Sequence, residues 1–162
     1  MRIRPAEPGD AEAISEIYNQ GIEDRIATLE MELRTPEERR TWLAARGSRH
    51  PVVVCEEERG VCGWASLNSF NPRDVYDHVA DFSVYVERGA RGRGVGDALL
   101  AHLETLAARL GYHKLVLAML SANAAGIALY RRRGFREVGT YREHGLVDGR
   151  WVDILIMEKI LT

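Results

Sequence analysis

Residues 91–96, Arg-Gly-Arg-Gly-Val-Gly, put three glycines and two arginines between a strand-like run and a helix-like one. A glycine-rich turn from strand into helix presents bare backbone N–H groups to an anion, and the helix N-terminus adds about half a positive charge. Phosphate is the natural ligand of such a turn; the bland alternative is a glycine turn with no ligand. The spacing narrows the choice. Gly92, Gly94 and Gly96 give G-x-G-x-G, with Asp97 where a dinucleotide fingerprint needs its third glycine, and the Gly-Lys-Ser/Thr ending of a P-loop is absent. Upstream, residues 78–86 alternate so that Phe82, Val84 and Val86 face one way while Asp81, Ser83 and Tyr85 face the other. A carboxylate in such apolar company is partly desolvated, which raises its pKa toward useful basicity. The competing reading of Asp81 is a carboxylate hydrogen-bonded within a sheet for structure. Tyr130 lies three residues after Ile127 on one helix face, so its ring points inward and its hydroxyl needs a partner. With an ordinary pKa of about 10, that hydroxyl suits a proton donor better than a base.

These groups must be held by elements the pattern also specifies. A short strand begins at Ile3, and Asp10 is expected to cap a helix whose Ile14, Ile17, Tyr18, Gly21 and Ile22 share one side. Thr35, Pro36 and Glu38 form a capping box that opens a second helix. The polar stretch 23–32 between them is long for a connector, which suits either a solvated loop or a binding-site wall. Residues 51–67 read as a hairpin turning near Arg59 and Gly60. After the glycine turn, Val95, Leu99, Leu103, Leu106 and Leu110 mark a helix that Gly111 ends. Residues 113–120 are almost continuously apolar, as for a strand covered on both faces. Asn123 then caps a short helix that stops at Gly134, and two strands, 135–143 and 150–159, flank an Asp148-Gly149 turn. The order βααβββαβαββ predicts one mixed α/β (α+β) domain over residues 1–162, with a largely antiparallel sheet whose parallel exception is the strand, helix, strand unit at 80–120.

Composition limits the function classes. The chain has 162 residues and a formal net charge of -2, which argues against a phosphate-neutralising surface and hence against nucleic acid as partner. No run approaches the roughly 20 apolar residues that span a bilayer, and the N-terminal stretch lacks the apolar core of a secretory signal, so a cytoplasmic location is expected. Cys55 and Cys62 fit no metal-ligand spacing and are expected to be structural thiols, and the five histidines are scattered. No metal is expected. Arg131, Arg132 and Arg133 read as a solvated helix face, with contact to a phosphate as the minority reading.

Placed between a strand ending in V-Y-V and an amphipathic helix, the R-x-x-G-x-G turn resembles the pyrophosphate motif of the GNAT superfamily of acetyl-CoA-dependent N-acetyltransferases. The resemblance spans nearly the whole chain. YNQGIEDRIATLE, PRDVYD, ADFSVYVERGARGRGVG, NAAGIALYRRRGF and DGRWVD, in that order, are similar to the branch of phosphinothricin, arsinothricin and methionine-sulfoximine N-acetyltransferases. It implies a GNAT-like fold with helices on both faces of the sheet. It also implies that acetyl-CoA is held by the backbone of Val84, Tyr85 and Val86 and by Arg91, Gly92, Arg93, Gly94, Val95 and Gly96. Asn123 is either a further cofactor contact or a plain N-cap. Asp81 becomes the general base, acting directly or through a water, the latter favoured because relatives in the branch commonly carry the longer Glu. Tyr130 becomes the acid for the leaving thiolate, where those enzymes often have His. Arg73 and Tyr76, with Thr28 and Glu30 from the first interhelical loop, are the expected substrate contacts. The resemblance implies acetyl transfer to the α-amine of a small amino acid or toxic analogue by direct attack in a ternary complex, a resistance or detoxification role, and a homodimer. The rivals are a protein N-terminal acetyltransferase and a non-catalytic acyl-CoA sensor.

Overall fold

In the computed structural model, which describes residues 1–25 and 29–162, the alternating segments pair into one seven-stranded sheet. Its strands are β1 (Arg2–Pro5), β2 (Val52–Glu57), β3 (Gly60–Ser69), β4 (Val79–Val86), β5 (Lys114–Leu120), β6 (Arg136–Val147) and β7 (Arg150–Ile160), in the order β1-β2-β3-β4-β5-β7-β6. All neighbours are antiparallel except β4 and β5. The helices are α1 (Ala11–Asp24), α2 (Pro36–Ala44), α3 (Val95–Arg109) and α4 (Ala124–Arg132). The expected mixed α/β class and element order therefore hold.

The two sheet faces bury two cores, as period-2 alternation requires. On one face, Ile14, Ile17, Tyr18 and Ile22 of α1 pack on Val52, Val54, Trp64 and Tyr85. Arg39 of α2 is buried over the rings of Tyr18 at 4.3 Å and Trp42 at 4.6 Å, a cation–π stack that binds α2 to the same layer. On the other face, Leu99, Leu100 and Leu103 of α3 meet Val53, Ala65, Leu67, Phe82 and Leu115, while Ile127, Leu129 and Tyr130 of α4 pack beside them. Cys55 and Cys62 lie buried as free thiols in this second core, and burial pushes the Cys55 thiol up to about 12. Their structural reading suits that setting. Gly111 takes φ +87, and the Tyr112 N–H reaches the Ala107 carbonyl at 3.0 Å, a Schellman end to α3.

Three sequence expectations differ from what is observed. Asp10 does precede α1, but a one-turn 3-10 helix at Pro8–Asp10 comes first, and its carboxylate accepts from Arg4 at 2.8 and 2.9 Å and from the Glu7 N–H at 2.7 Å instead of capping α1. β5 is not covered on both faces: Leu115, Leu117 and Met119 are buried, whereas Ala118 on the other face is exposed. Its continuous apolarity serves the core through Leu115, Leu117 and Met119 and, over Leu117 to Leu120, the wall of an open cleft. β6 runs four residues past its expected end, because register shifts at Tyr141/Gly145, with Glu143 at φ +49, break the alternation without ending the pairing.

Gly63 is the point where α3 crosses β3. A Cβ there would stand 3.0 Å from both Leu99 Cδ1 and Val95 Cγ1 and 3.1 Å from the Tyr85 carbonyl oxygen. Gly63→Ala is therefore expected to lower stability by roughly 1–3 kcal/mol, read as a reduced denaturant midpoint at unchanged slope.

Candidate active site

The ladder between β4 and β5 runs from Val79/Lys114 to Asp81/Val116 and stops, although β4 stays paired with β3 to Val86 and β5 with β7 to Leu120. Beyond that point the two strands part. A cleft of about 650 Å³ occupies the gap, lined by Asp81 to Val86 of β4 and Leu117 to Leu120 of β5. Main-chain groups on these facing edges have lost their ladder partner, so the gap is a slot that an extended polar ligand can enter and pair with.

At one end of the slot is the glycine turn. Gly92 and Gly94 adopt φ +77 and +86, and a Cβ at either would meet open space, so the left-handed backbone and not crowding requires glycine. Gly94 is the N-cap of α3 and offers no side-chain acceptor, which leaves the first-turn N–H groups of that helix for an outside anion. Arg91, Gly92, Gly94, Val95 and Gly96 all line the cleft. The two arginines separate. Arg91 donates to Asp24 Oδ2 at 2.6 Å and to the Val86 carbonyl at 3.4 Å at the edge of the slot. Arg93 instead points to Glu57 Oε2 at 3.0 Å and is absent from the cleft lining. Arg88 also donates to Asp24, and these two guanidiniums hold the Asp24 carboxyl down at about 2.

Asp81, at the last paired position of β4, and Tyr130 of α4 both line the cleft. Burial pushes the Asp81 carboxyl up to about 6, against the stabilising hydrogen bonds of Asn68 and the Phe82 N–H. Tyr130 stands edge-on to Phe82 and Phe135, each centroid 5.7 Å away, and its hydroxyl has no hydrogen-bond partner among the described residues. Burial first, then Tyr85 and the Asp81 charge, raise its pKa above the ordinary tyrosine value, so the proton stays on the oxygen. The sheet thus brings a carboxylate of near-neutral basicity and a protonated phenol into one slot. Asn123 caps α4 by accepting the Gly126 N–H at 3.0 Å and also lines the cleft, so both of its readings are compatible with its position.

Residues 3–156 match the family profile described as Acetyltransferase (GNAT) domain. The chain belongs to the GNAT acetyltransferase family. An L-methionine sulfoximine/L-methionine sulfone acetyltransferase of Salmonella typhimurium is 35% identical, covering 98% of this chain and 93% of its own. Among solved structures, a ribosomal-protein-alanine N-acetyltransferase from Brucella melitensis is 41% identical with a TM-score of 0.95, covering 99% of this chain and 100% of its own. A GNAT superfamily phosphinothricin acetyltransferase from Sinorhizobium meliloti, in complex with AcCoA, is 31% identical with a TM-score of 0.93 over 99% of this chain and 88% of its own.

For this GNAT enzyme the acceptor side is less tightly assembled than the donor side. Glu30 lines the cleft and accepts from Arg34 Nε at 3.1 Å, whereas Thr28 lies outside the described residues. Arg73 is exposed ahead of the short 3-10 turn Asp74–Tyr76, and Tyr76 packs edge-on to Phe70 at 5.5 Å; neither lines the cleft. The arginine run on α4 divides three ways: Arg132 lines the cleft, Arg131 pairs with Glu137, and Arg133 donates to the buried Glu104 at 3.0 Å. Only part of that run is a solvated face. Sequence reasoning missed Asn68 and Arg46, which stand behind Asp81. An Asn opposite an Asp on a neighbouring strand is visible only once the register is known.

The raised pKa of Asp81 has a stability consequence. The native state binds this proton more tightly than the unfolded chain, whose value is 3.8, so stability falls as pH rises from about 4 to about 6 and the loss is complete above that. Asp81→Asn is expected to be more stable than the parent above pH 6, by up to about 3 kcal/mol, and equal to it below about pH 4. Urea unfolding across that range checks it; equal stability at pH 7.5 would contradict the desolvated carboxylate.

Proposed function

We propose that this chain transfers acetyl from acetyl-CoA to the α-amine of a small amino acid or a toxic analogue of the phosphinothricin, arsinothricin or methionine sulfoximine class, by direct attack in a ternary complex. The observation that carries this reading is the slot between the parted β4 and β5, with an uncapped, glycine-lined helix N-terminus at one end and the buried carboxylate of Asp81 in its wall. The residues present suit the cofactor: unfilled space over Gly92 and Gly94 admits a pyrophosphate, and unpaired strand edges suit an amide-bearing arm. When bound, acetyl-CoA supplies an activated acyl group as a thioester.

The chain's own groups then divide the work. Arg91 and the N–H groups of residues 92–96 bind the phosphates, Arg93 contributing its backbone while its side chain pairs with Glu57, and Asn123 is a contact near the start of α4. Main-chain groups of Val84, Tyr85 and Val86 hold the arm, and one N–H of that segment polarises the acyl oxygen. Asp81 accepts the proton of the attacking amine through a bridging water, which its short side chain favours. Tyr130 Oη holds the proton that the departing sulfur requires, and its raised pKa keeps that proton in place until then. Glu30, in the cleft wall, recognises the acceptor together with Thr28 of the same connection, whereas Arg73 and Tyr76, which stand outside the cleft lining, are not assigned to it. Direct attack is favoured over an acyl-enzyme because both cysteines are buried, and burial raises the pKa of each away from the nucleophilic thiolate. A second reading, acetylation of a protein N-terminus, is supported by the 41% identity to the ribosomal-protein-alanine enzyme.

Release of free CoA thiol, followed over a panel of amino acids, phosphinothricin, methionine sulfoximine and an alanine-initiated peptide, separates these. Turnover on the small acceptors is expected. Turnover on the peptide alone would transfer the assignment to the second reading, and tight acetyl-CoA binding with no turnover on any amine would make the chain a sensor. The rate should rise with pH through about 6 as Asp81 ionises. Asp81→Asn should abolish that limb and lower kcat by roughly 10²–10⁴-fold, and Tyr130→Phe should lower kcat with little change in acetyl-CoA affinity.

A further inference from the structure

Asn68 on β3 is directly opposite Asp81 on β4. Its amide is held from behind on the oxygen side: Arg46 Nη2 donates to Asn68 Oδ1 at 2.8 Å, and Ser66 Oγ donates to the same oxygen at 3.1 Å. Arg46 is itself fixed. Its Nε donates to the His50 carbonyl at 2.7 Å, its Nη2 to the Leu67 carbonyl, and its guanidinium lies 4.4 Å from the centre of the Trp42 ring. Two donors aimed at one side of the amide decide its orientation, since a flipped Asn68 would set its NH₂ against a cation. The NH₂ therefore faces β4, where it donates to Ser83 Oγ at 3.2 Å, beside Asp81, its partner in the register. Neither Asn68 nor Arg46 lines the cleft, while Asp81 and Ser83 do.

We infer that Asn68, locked by Arg46 and Ser66, is a positioning residue that holds the Asp81 carboxylate toward the cleft and stabilises its charged form from the side away from the substrates. The inference rests on the proposed role of Asp81 as base. The other groups around Asp81 act differently. Tyr130 on α4 is coupled to its charge, Tyr85 lies further along β4, Glu30 faces the same cleft from the α1–α2 connection, and β5 offers only apolar Val116 opposite. Arg46, whose pKa burial lowers to about 10, remains a cation at neutral pH and acts through the amide. Asn68 thus opposes the desolvation of Asp81 and leaves the base half-ionised near pH 6.

The test is carboxyl ¹³C NMR titration of Asp81 in the full chain, assigned by its loss in Asp81→Asn, beside the pH dependence of kcat/KM. Asn68→Leu keeps the volume and removes the donor; the Asp81 midpoint is expected to rise by about one pH unit, a roughly tenfold weaker acid, with the rate limb moving by the same amount. Arg46→Lys keeps the charge but loses the forked grip, so a smaller rise is expected. Where Asn68→Leu fails to fold, Asn68→Ala removes the same donor and carries the same reading. A midpoint that stays put in folded Asn68 variants overturns the inference. A rate limb that survives in Asp81→Asn would instead remove Asp81 as base, while the NMR midpoints would still report whether Asn68 acts on the carboxylate.

Discussion

The parting of two parallel strands after a single short stretch of pairing is the constraint on which this structure depends. A sheet normally satisfies its backbone internally, and a gap in its middle leaves polar groups that must face water or a ligand. Here the gap is tolerable because each strand is anchored on its other side, β4 by β3 and β5, along its whole length, by β7. The long C-terminal hairpin is therefore a support of the slot and not an appendage. Asp81 stands at the last paired position, where the sheet is still closed enough to desolvate a carboxylate and already open enough to expose it.

Each helix serves that opening from a different side. α3 brings its N-terminus to the slot because Gly63 lets the helix sit close on β3. α4 sets Tyr130 in an aromatic cluster with Phe82 and Phe135, which fixes its ring at the cleft wall. α1 and α2 close the opposite face through the stack of Tyr18, Arg39, Trp42, Trp64 and Tyr85, whose last member lies in the cleft wall. Glu104 under α3 gathers Arg133 and Lys159, tying the end of α4 to β7.

Much of this was legible from the chain alone, for definite reasons. Strand alternation assigned Asp81, Ser83 and Tyr85 to one face, helical spacing turned Tyr130 inward, and the G-x-G-x-G spacing between a strand and a helix marked the turn at residues 91–96. What stayed hidden depends on three-dimensional register or on long side chains choosing partners. Arg91 and Arg93 are two residues apart, yet one joins the slot and the other turns to Glu57, because neighbouring positions on an arched turn point in different directions. Asp10 shows the same limit: a carboxylate fit to cap a helix was captured by Arg4 across the sheet edge. The apolarity of β5 was legible, but not that Leu117 to Leu120 would wall a cleft.

The Asp24 node separates two electrostatic tasks. Asp24 holds both Arg88 and Arg91, and the Arg91–Asp24 pair is only 30% and 25% exposed, so mobile ions weaken it less than they weaken charges in open solvent. The glycine turn is thus braced against the end of α1 by contacts that tolerate salt, while the long-range pull on an approaching polyanion is screened over about 10 Å at 0.1 M ionic strength. As ionic strength rises, the site loses its reach before it loses its shape.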